Sequence, residues 1–259
     1  MTIPDIRINS KPRGAMRIVN TRAIYTSKSS KRATPSSYVI SSESVSDLKF
    51  TTPYSPRYFT WKRMLDLLFT ICLLFVLLIP SLVIMCAVFA DDPGSVFFTQ
   101  KRIGFHGNQF LLYKFRTMKM DTPRYIPTYK LKNPEQYLTR VGGFLRKYSL
   151  DEIPQLINVL KGDMSLIGPR PLICGERQIH VYRAQFGVYN VYPGITGLAQ
   201  INGRDFVSAA DKVRWDVQYV ENFSFKQDFR IFLATVPKVC VGAGVIVGRV
   251  KREGNEDNF

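Results

Sequence analysis

The chain has 259 residues, 46% of them hydrophobic, and a formal net charge of +16, which suits one well-packed domain with a basic extension. With only two histidines, His106 and His180, a Ser-His-Asp triad or a histidine-rich metal site is hard to build. The four cysteines form no CxxC pattern, which indicates reduced thiols in a cytosol-facing protein. Any chemistry must therefore rest on carboxylate, arginine and lysine side chains.

Residues 1–56 are rich in serine, threonine, lysine and arginine without a sustained hydrophobic period, which predicts a disordered tail. No apolar core follows the first basic residues, so the tail lacks the pattern of a signal peptide. Residues 1–63 contain twelve basic and three acidic residues. This excess could serve nucleic acid, nucleotide substrates or anionic lipid, and the apolar segment that follows favours lipid.

A membrane segment is predicted over residues 57–90. It contains Leu67 to Ala90, twenty-four residues without a charge, and about 20 apolar residues suffice to span a bilayer. Pro80 should bend a helix here, and the Ser81 hydroxyl could bond a freed carbonyl. The flanking charges show no clear asymmetry, so the pattern alone fits a re-entrant hairpin and a single-pass anchor equally well.

Residues 91–259 are predicted to form a cytoplasmic domain. Short strands are predicted at 96–99 and 110–115, with a glycine-marked turn between them. Apolar residues recur at helical spacing over 137–148 and again over 153–160. The first of these faces could belong to the core or could lie flat on the membrane.

The acidic pair Asp151-Glu152 lies in the segment Ser-Leu-Asp-Glu-Ile-Pro-Gln, residues 149–155. Ser149 and Glu152 have the capping-box spacing, which predicts a helix that starts here and places Asp151 in its first turn. Free amides and the helix dipole would favour an ionised carboxylate there. Asp151 could then attack phosphorus, and Glu152 could hold Mg²⁺. The alternative is that both acids merely begin a helix, since such caps are common.

Cationic residues accompany this pair along the sequence. They are Lys114, Arg116, Arg146, Arg170 between Pro169 and Pro171, and Arg204. Guanidinium groups match phosphate oxygens, and prolines on both sides hold the turn around Arg170 stiff. Each residue alone could be a solvated surface group, but together they predict a site that stabilises charge during phosphoryl transfer.

Six segments occur in an order that resembles one protein family. They are Lys62-Arg63 with Asp66, 97–104 (Phe-Phe-Thr-Gln-Lys-Arg-Ile-Gly), 114–118 (Lys-Phe-Arg-Thr-Met), 144–155, 162–171 and 193–204. Over about residues 60–240 the chain resembles the bacterial sugar transferases, the monotopic phosphoglycosyl transferases. Members of this family move a sugar 1-phosphate from a UDP-sugar onto undecaprenyl phosphate.

The resemblance implies an α/β, mostly helical, membrane-associated domain with short strands and an N-terminal re-entrant helical hairpin. Lys62, Arg63, Pro80 and Ser81 would belong to that hairpin, at the cytoplasmic face of the bacterial inner membrane. In the family the hairpin proline usually follows a serine, whereas here Ser81 follows Pro80. Larger relatives carry four more membrane helices ahead of this domain, so the chain resembles the small branch.

The resemblance also implies the chemistry. Asp151 matches the aspartate that carries a covalent phosphosugar, and Glu152 matches a Mg²⁺-linked glutamate. Substrate phosphates and nucleotide are expected at Lys114, Arg116, Arg146, Pro169, Arg170, Pro171 and Arg204. The expected partners are a UDP-sugar, undecaprenyl phosphate and inner-membrane lipid, with Mg²⁺ as cofactor and no nucleic acid, and a homodimer is also considered.

Two other functions compete with this interpretation. A non-enzymatic, membrane-anchored interaction protein could use the same scaffold, but the intact Asp151 and Glu152 argue against it. A basic nucleic-acid binder fits the tail but leaves residues 62–171 unexplained. The sugar is not identified by the sequence, although the loop at 121–123 resembles branches that act on N-acetylated amino sugars.

Overall fold

The computed structural model of the protein describes residues 56–123, 131, 133–203 and 208–242, all within one compact unit. The predicted tail up to residue 55, Arg204 and the residues after 242 lie outside this part. The helices are α1 (Pro56–Asp91), α2 (Arg140–Tyr148), α3 (Gln155–Lys161), α4 (Arg177–Gln185), α5 (Leu198–Ile201), α6 (Ala209–Glu221) and α7 (Phe225–Val241). The strands are β1 (Phe97–Ile103), β2 (Gln109–Phe115), β3 (Ser165–Ile167), β4 (Leu172–Ile173) and β5 (Gly194–Thr196). The predicted mostly helical fold with short strands is confirmed.

Helix α1 is continuous over 36 residues and contains Pro80 in its interior. Among the described residues it is the only helix long and apolar enough to cross a membrane. Phe75, Val76 and Ile79 are at least 72% exposed, so the middle of the helix is apolar but not covered by protein. The helix is continuous through Pro80, and a hairpin in the membrane stays a prediction.

The N-terminal turns of α1 are fixed to the domain by buried polar groups. The Lys62 ammonium lies 2.6 Å from the Asp228 carboxylate on α7 and 3.7 Å from that of Asp66. The Ser165 hydroxyl on β3 donates to Asp66 over 2.7 Å. Lys62 is 8% exposed, so it anchors the helix inside the protein and does not add to the surface charge that would meet lipid.

Two further contacts tie α1 to the domain, one near each end. The Arg63 guanidinium donates to the backbone carbonyls of Val159 (2.7 Å) and Met164 (3.1 Å). Near the other end, Val88 is 3% exposed and packs in a cluster with Phe115 of β2. Both ends of the apolar helix therefore contact the same unit.

The strands form two small sheets. β1 pairs antiparallel with β2, with Phe97 opposite Phe115 and Ile103 opposite Gln109, and β4 pairs with the end of β1. The predicted strands are confirmed, although β1 continues to Ile103. β3 and β5 form a separate parallel pair. The largest buried cluster lies among α4, α6 and α7 and includes Val217 and Ile231.

The predicted helix start at Ser149 is wrong. Ser149 has a left-handed backbone (φ 59°) and ends α2, since its N–H donates back to the Arg146 carbonyl. Leu150–Glu152 is a single 3-10 turn, and α3 begins only at Gln155. Pro154 has no N–H to donate, so it is tolerated just before or at the start of a helix and costs a hydrogen bond in a helix interior. Asp151 therefore lies outside the first turn of an α-helix.

Two adjacent glycines of α2 have different surroundings. Gly142 packs directly on the backbone of Thr117, so that a Cβ would overlap the Thr117 carbonyl. Gly143 is open, with the nearest atom to a Cβ, in the Leu138 side chain, 3.5 Å away. Only Gly142 thus requires the absence of a side chain.

Gly142→Ala should lower the free energy of unfolding by about 2 kcal/mol, because α2 must move away from Thr117. Gly143→Ala is the matched control and should raise it by up to about 1 kcal/mol, since alanine favours helix. Thermal unfolding of the full chain in detergent would measure both. Equal midpoints for the two variants would contradict the tight packing at Gly142.

Candidate active site

Three elements bring the predicted acidic pair and two of the predicted cations together. The Lys114 ammonium on β2 lies 3.2 Å from Asp151 Oδ2 and 2.7 Å from Glu152 Oε1, in the turn after α2. Arg170, in the loop between β3 and β4, lies 3.0 Å from the same Oε1 atom. The side chains of Asp151 and Glu152 thus share one ammonium group instead of pointing apart.

The electrostatics of this cluster come from these cations. Burial of Glu152 would raise its pKa, but Lys114 and then Arg170 outweigh burial and hold the pKa well below its usual range. The α-helix dipole expected at Asp151 is not provided by this 3-10 turn. Asp151 is 6% exposed, and its carboxylate faces Lys114.

The turn 169–171 presents Arg170 to the acidic pair. Pro169 and Pro171 are buried, whereas the Arg170 side chain is 42% exposed. The Arg170 side chain is therefore partly exposed to solvent while Nη2 contacts Glu152. A planar fork in this setting can also receive phosphate oxygens.

The other predicted binding residues have different partners. Arg116 is 7% exposed, and its guanidinium donates to the backbone carbonyl of Asp92 at the end of α1. It therefore ties the end of α1 to the residue that follows β2. Arg146 donates from Nε to the Thr117 hydroxyl over 2.9 Å, and Arg204 lies outside the described residues.

Arg102 joins the site without having been predicted. Its Nη1 atom donates to the Pro171 carbonyl over 3.2 Å, and burial, with Arg170 nearby, lowers the pKa of Arg102 to about 10. The alternation of side chains along β1 could have indicated that Arg102 belongs to the site. In the β1–β2 register Phe98 lies opposite Lys114 and Arg102 opposite Phe110, so Arg102 and Lys114 share one face of the hairpin.

Asp151 and Glu152 also fit the donor set that Mg²⁺ prefers. Magnesium is commonly bound by one or two carboxylates, with water and substrate phosphate in the other positions. Within the described ranges no group of three or more His, Cys, Asp or Glu residues could hold an ion by itself. A magnesium site here would thus use Glu152 of the acidic pair and be completed by water and substrate oxygens.

The arrangement combines a buried carboxylate, an acidic neighbour and cations that can meet phosphate. Carboxylates can attack phosphorus, and Lys or Arg can neutralise the charge on the transferred group. The cations at present offset the charges of the two acids. An incoming diphosphate would bring further negative charge, which a divalent cation on Glu152 would balance.

Comparisons with known proteins agree with this chemistry. A family model described as bacterial sugar transferase matches residues 57–242. The chain is 45% identical over 184 residues to an uncharacterized sugar transferase, EpsL, of Bacillus subtilis, covering 71% of this chain and 89% of the relative. It is 39% identical over 197 residues to the exopolysaccharide production protein ExoY of Sinorhizobium fredii, covering 71% and 87%. A UDP-glucose:undecaprenyl-phosphate glucose-1-phosphate transferase of Xanthomonas campestris is 36% identical over 168 residues, covering 61% and 34%.

Lys114→Met should lower the free energy of unfolding at pH 7 by about 3 kcal/mol, because it leaves two buried carboxylates without their shared cation. The pKa of Glu152 in the folded protein lies below the unfolded value of about 4.3. The ionised Glu152 therefore stabilises the wild-type fold above about pH 4.3, and this stabilisation is lost as the pH falls through the folded-state pKa. The difference in the free energy of unfolding between the wild type and Lys114→Met should therefore become smaller below about pH 4.

Urea unfolding in detergent at pH 7 and below pH 4 would measure this gap. Lys161→Met, at an exposed lysine on α3, is the control and should leave the urea midpoint nearly unchanged at either pH. If the loss of stability in Lys114→Met did not depend on pH, Lys114 would not be the cation that lowers the pKa of Glu152.

Proposed function

The chain belongs to the bacterial sugar transferase family, and we propose that it moves a sugar 1-phosphate from a UDP-sugar onto undecaprenyl phosphate. This step would begin a lipid-linked exopolysaccharide, capsule or other surface glycan. The observation that carries the proposal is the cluster in which Lys114 and Arg170 face the carboxylates of Asp151 and Glu152.

Asp151 acts as the nucleophile in the proposed first step. One of its carboxylate oxygens forms a bond to the sugar-linked phosphorus of the UDP-sugar, and the bond from that phosphorus to the bridging oxygen breaks. UMP leaves with the bridging oxygen. In the second step a phosphate oxygen of undecaprenyl phosphate attacks the same phosphorus, which releases the Asp151 carboxylate and gives the lipid diphosphosugar.

The neighbouring residues supply charge stabilisation in this route. Lys114 lies close enough to Asp151 to contact both the nucleophile and an incoming phosphate, and the Arg170 side chain beside Glu152 is partly exposed to solvent. Glu152 would hold Mg²⁺, which offsets diphosphate charge when bound. If the Lys114 ammonium moved its contact from the Asp151 carboxylate to a substrate phosphate, Asp151 would be free to attack.

The contacts of α1 support a re-entrant membrane helix. Arg63 binds the carbonyls of Val159 and Met164, which pack on Leu112, whereas Val88 packs on Phe115. Leu112 and Phe115 are three residues apart on β2, about 10 Å. The hydrocarbon core of a bilayer is about 30 Å thick, so a helix that crossed it could not hold both ends on neighbouring parts of one strand. Pro80, in the uncovered middle, would supply the bend.

Helix α7 supports the proposed position at the membrane surface. Its exposed apolar residues are Phe225, Phe229, Phe232, Leu233 and Val236, each 48–58% exposed. Exposed Lys226 and Arg230 lie among them in the sequence, as expected where a helix meets anionic headgroups. We propose that α7 lies in the interface on the cytoplasmic face of the bacterial inner membrane, with the basic flanks of α1 on the same side.

Asp151→Asn tests the catalytic proposal directly. Wild type should release UMP from at least one member of a panel of UDP-glucose, UDP-galactose and UDP-N-acetylated amino sugars when undecaprenyl phosphate is present. The variant keeps the size of the side chain but removes the attacking charge, so release should fall at least about 10³-fold with an unchanged unfolding midpoint. Near-normal turnover would remove Asp151 from this role.

Magnesium dependence tests the metal proposal. UMP release should stop in EDTA and return with added Mg²⁺, because Lys114 and Arg170 alone cannot balance two phosphates and two carboxylates. Glu152→Gln should lower the rate about 100-fold or more. Glu135→Gln, at an exposed acid outside the cluster, is the control and should retain the wild-type rate. Full activity in EDTA would overturn the assignment.

A further inference from the structure

All three carbonyl groups of the turn that carries Arg170 accept hydrogen bonds. Proline has no N–H, so residues 169–171 have one backbone donor of their own, that of Arg170. Their three carbonyls accept hydrogen bonds from three different elements: Pro169 from the Gly194 N–H (2.9 Å), Arg170 from Arg183 Nη1 (2.8 Å) and Pro171 from Arg102 Nη1 (3.2 Å). Arg183 is therefore the donor that holds the backbone of Arg170, the residue whose side chain contacts Glu152.

Arg183 is buried and fixed by a second partner. It lies on α4 at 2% exposure, and its Nη2 atom lies 2.5 Å from Asp216 Oδ2 on α6. Asp216 is 1% exposed. The two ends of one planar guanidinium thus connect Asp216 on one side with the Arg170 carbonyl on the other.

This arrangement is hard to explain by stability alone. A buried ion pair commonly contributes no more to folding than a hydrophobic group of similar volume, because both charges lose their water. A guanidinium does, however, offer hydrogen bonds at fixed angles, which an apolar group or a lysine cannot. The distinctive consequence of Arg183 is therefore the direction that it gives to the carbonyl of Arg170.

We propose that Arg183, oriented by Asp216, is a positioning residue that holds Arg170 toward Glu152 and the substrate phosphates. The chain of contacts runs from the Asp216 carboxylate to the Arg183 guanidinium, to the Arg170 carbonyl, and through the Arg170 side chain to Glu152. Arg183 itself touches neither carboxylate of the acidic pair in this chain of contacts. Of its consequences, only the expected loss of kcat rests on the proposed transferase function.

A double-mutant cycle on UMP release tests the proposal. Arg183→Lys keeps the charge but cannot bond Asp216 and the carbonyl at fixed angles, so kcat should fall about tenfold. Arg170→Ala removes the group that Arg183 positions. In the Arg170→Ala background, Arg183→Lys should cause no further loss in kcat. An equal loss in both backgrounds would overturn the proposal, because it would show a general structural effect.

Hydrogen–deuterium exchange gives a measurement that does not depend on activity. In the full-length protein in detergent, the peptide that contains Arg170 should exchange faster in Arg183→Lys and in Asp216→Asn. Unchanged exchange of this peptide in both variants would also overturn the proposal. If Arg183→Lys does not fold, Asp216→Asn takes its place in the cycle with the same expected result.

A control separates positioning from loss of stability. Val213→Ala removes buried volume from the same helix as Asp216 and should lower the unfolding midpoint while leaving kcat and the exchange of the Arg170 peptide unchanged. If wild type releases no UMP from any UDP-sugar but exchange at Arg170 still depends on Arg183, the proposed function fails and the positioning contact stands. If wild type is active and the cycle is additive, only the positioning proposal fails.

Discussion

Lys62 and Asp228 form a buried ion pair, 2.6 Å long, that fixes the start of the apolar helix to the last described helix of the domain. The other end of α1 is fixed by Val88, which packs on Phe115. Lys114 lies on β2 directly before Phe115, so the strand that reaches the acidic pair is also the strand that contacts the far end of α1. The position of α1 and the position of the acidic pair therefore depend on the same few contacts.

The cations and carboxylates of the active-site cluster form ion pairs with one another before any substrate binds. Lys114 pairs with both Asp151 and Glu152, and Arg170 pairs with Glu152 while its side chain stays partly exposed to solvent. In the proposed reaction these cations turn to the diphosphate, and the acids are released for attack and for metal binding. The rigid turn around Arg170, with its three bonded carbonyls, limits how far that cation can move.

The sequence predicted those features that depend on local patterns. The uncharged run after Asp66 gives α1, the hairpin strands follow from their apolar runs, and the segment motifs identify the acidic pair. It failed at Ser149, which ends α2 because the Arg146 carbonyl, three positions earlier, accepts its N–H. It also failed at Arg116, whose partner Asp92 lies 24 positions earlier in the chain. No spacing rule reveals such pairings, whereas the β1 alternation could have revealed Arg102.

The most direct test of the account is the topology of α1, because a re-entrant helix places both chain ends on one side of the membrane. Single cysteines at Ser46 and Asn255, in a background without Cys72, Cys86, Cys174 and Cys240, would be treated with a membrane-impermeant thiol reagent in intact cells. The account predicts that neither cysteine is labelled before permeabilisation and that both are labelled after it. Labelling of one cysteine alone in intact cells would show a helix that crosses the membrane, which would contradict the account.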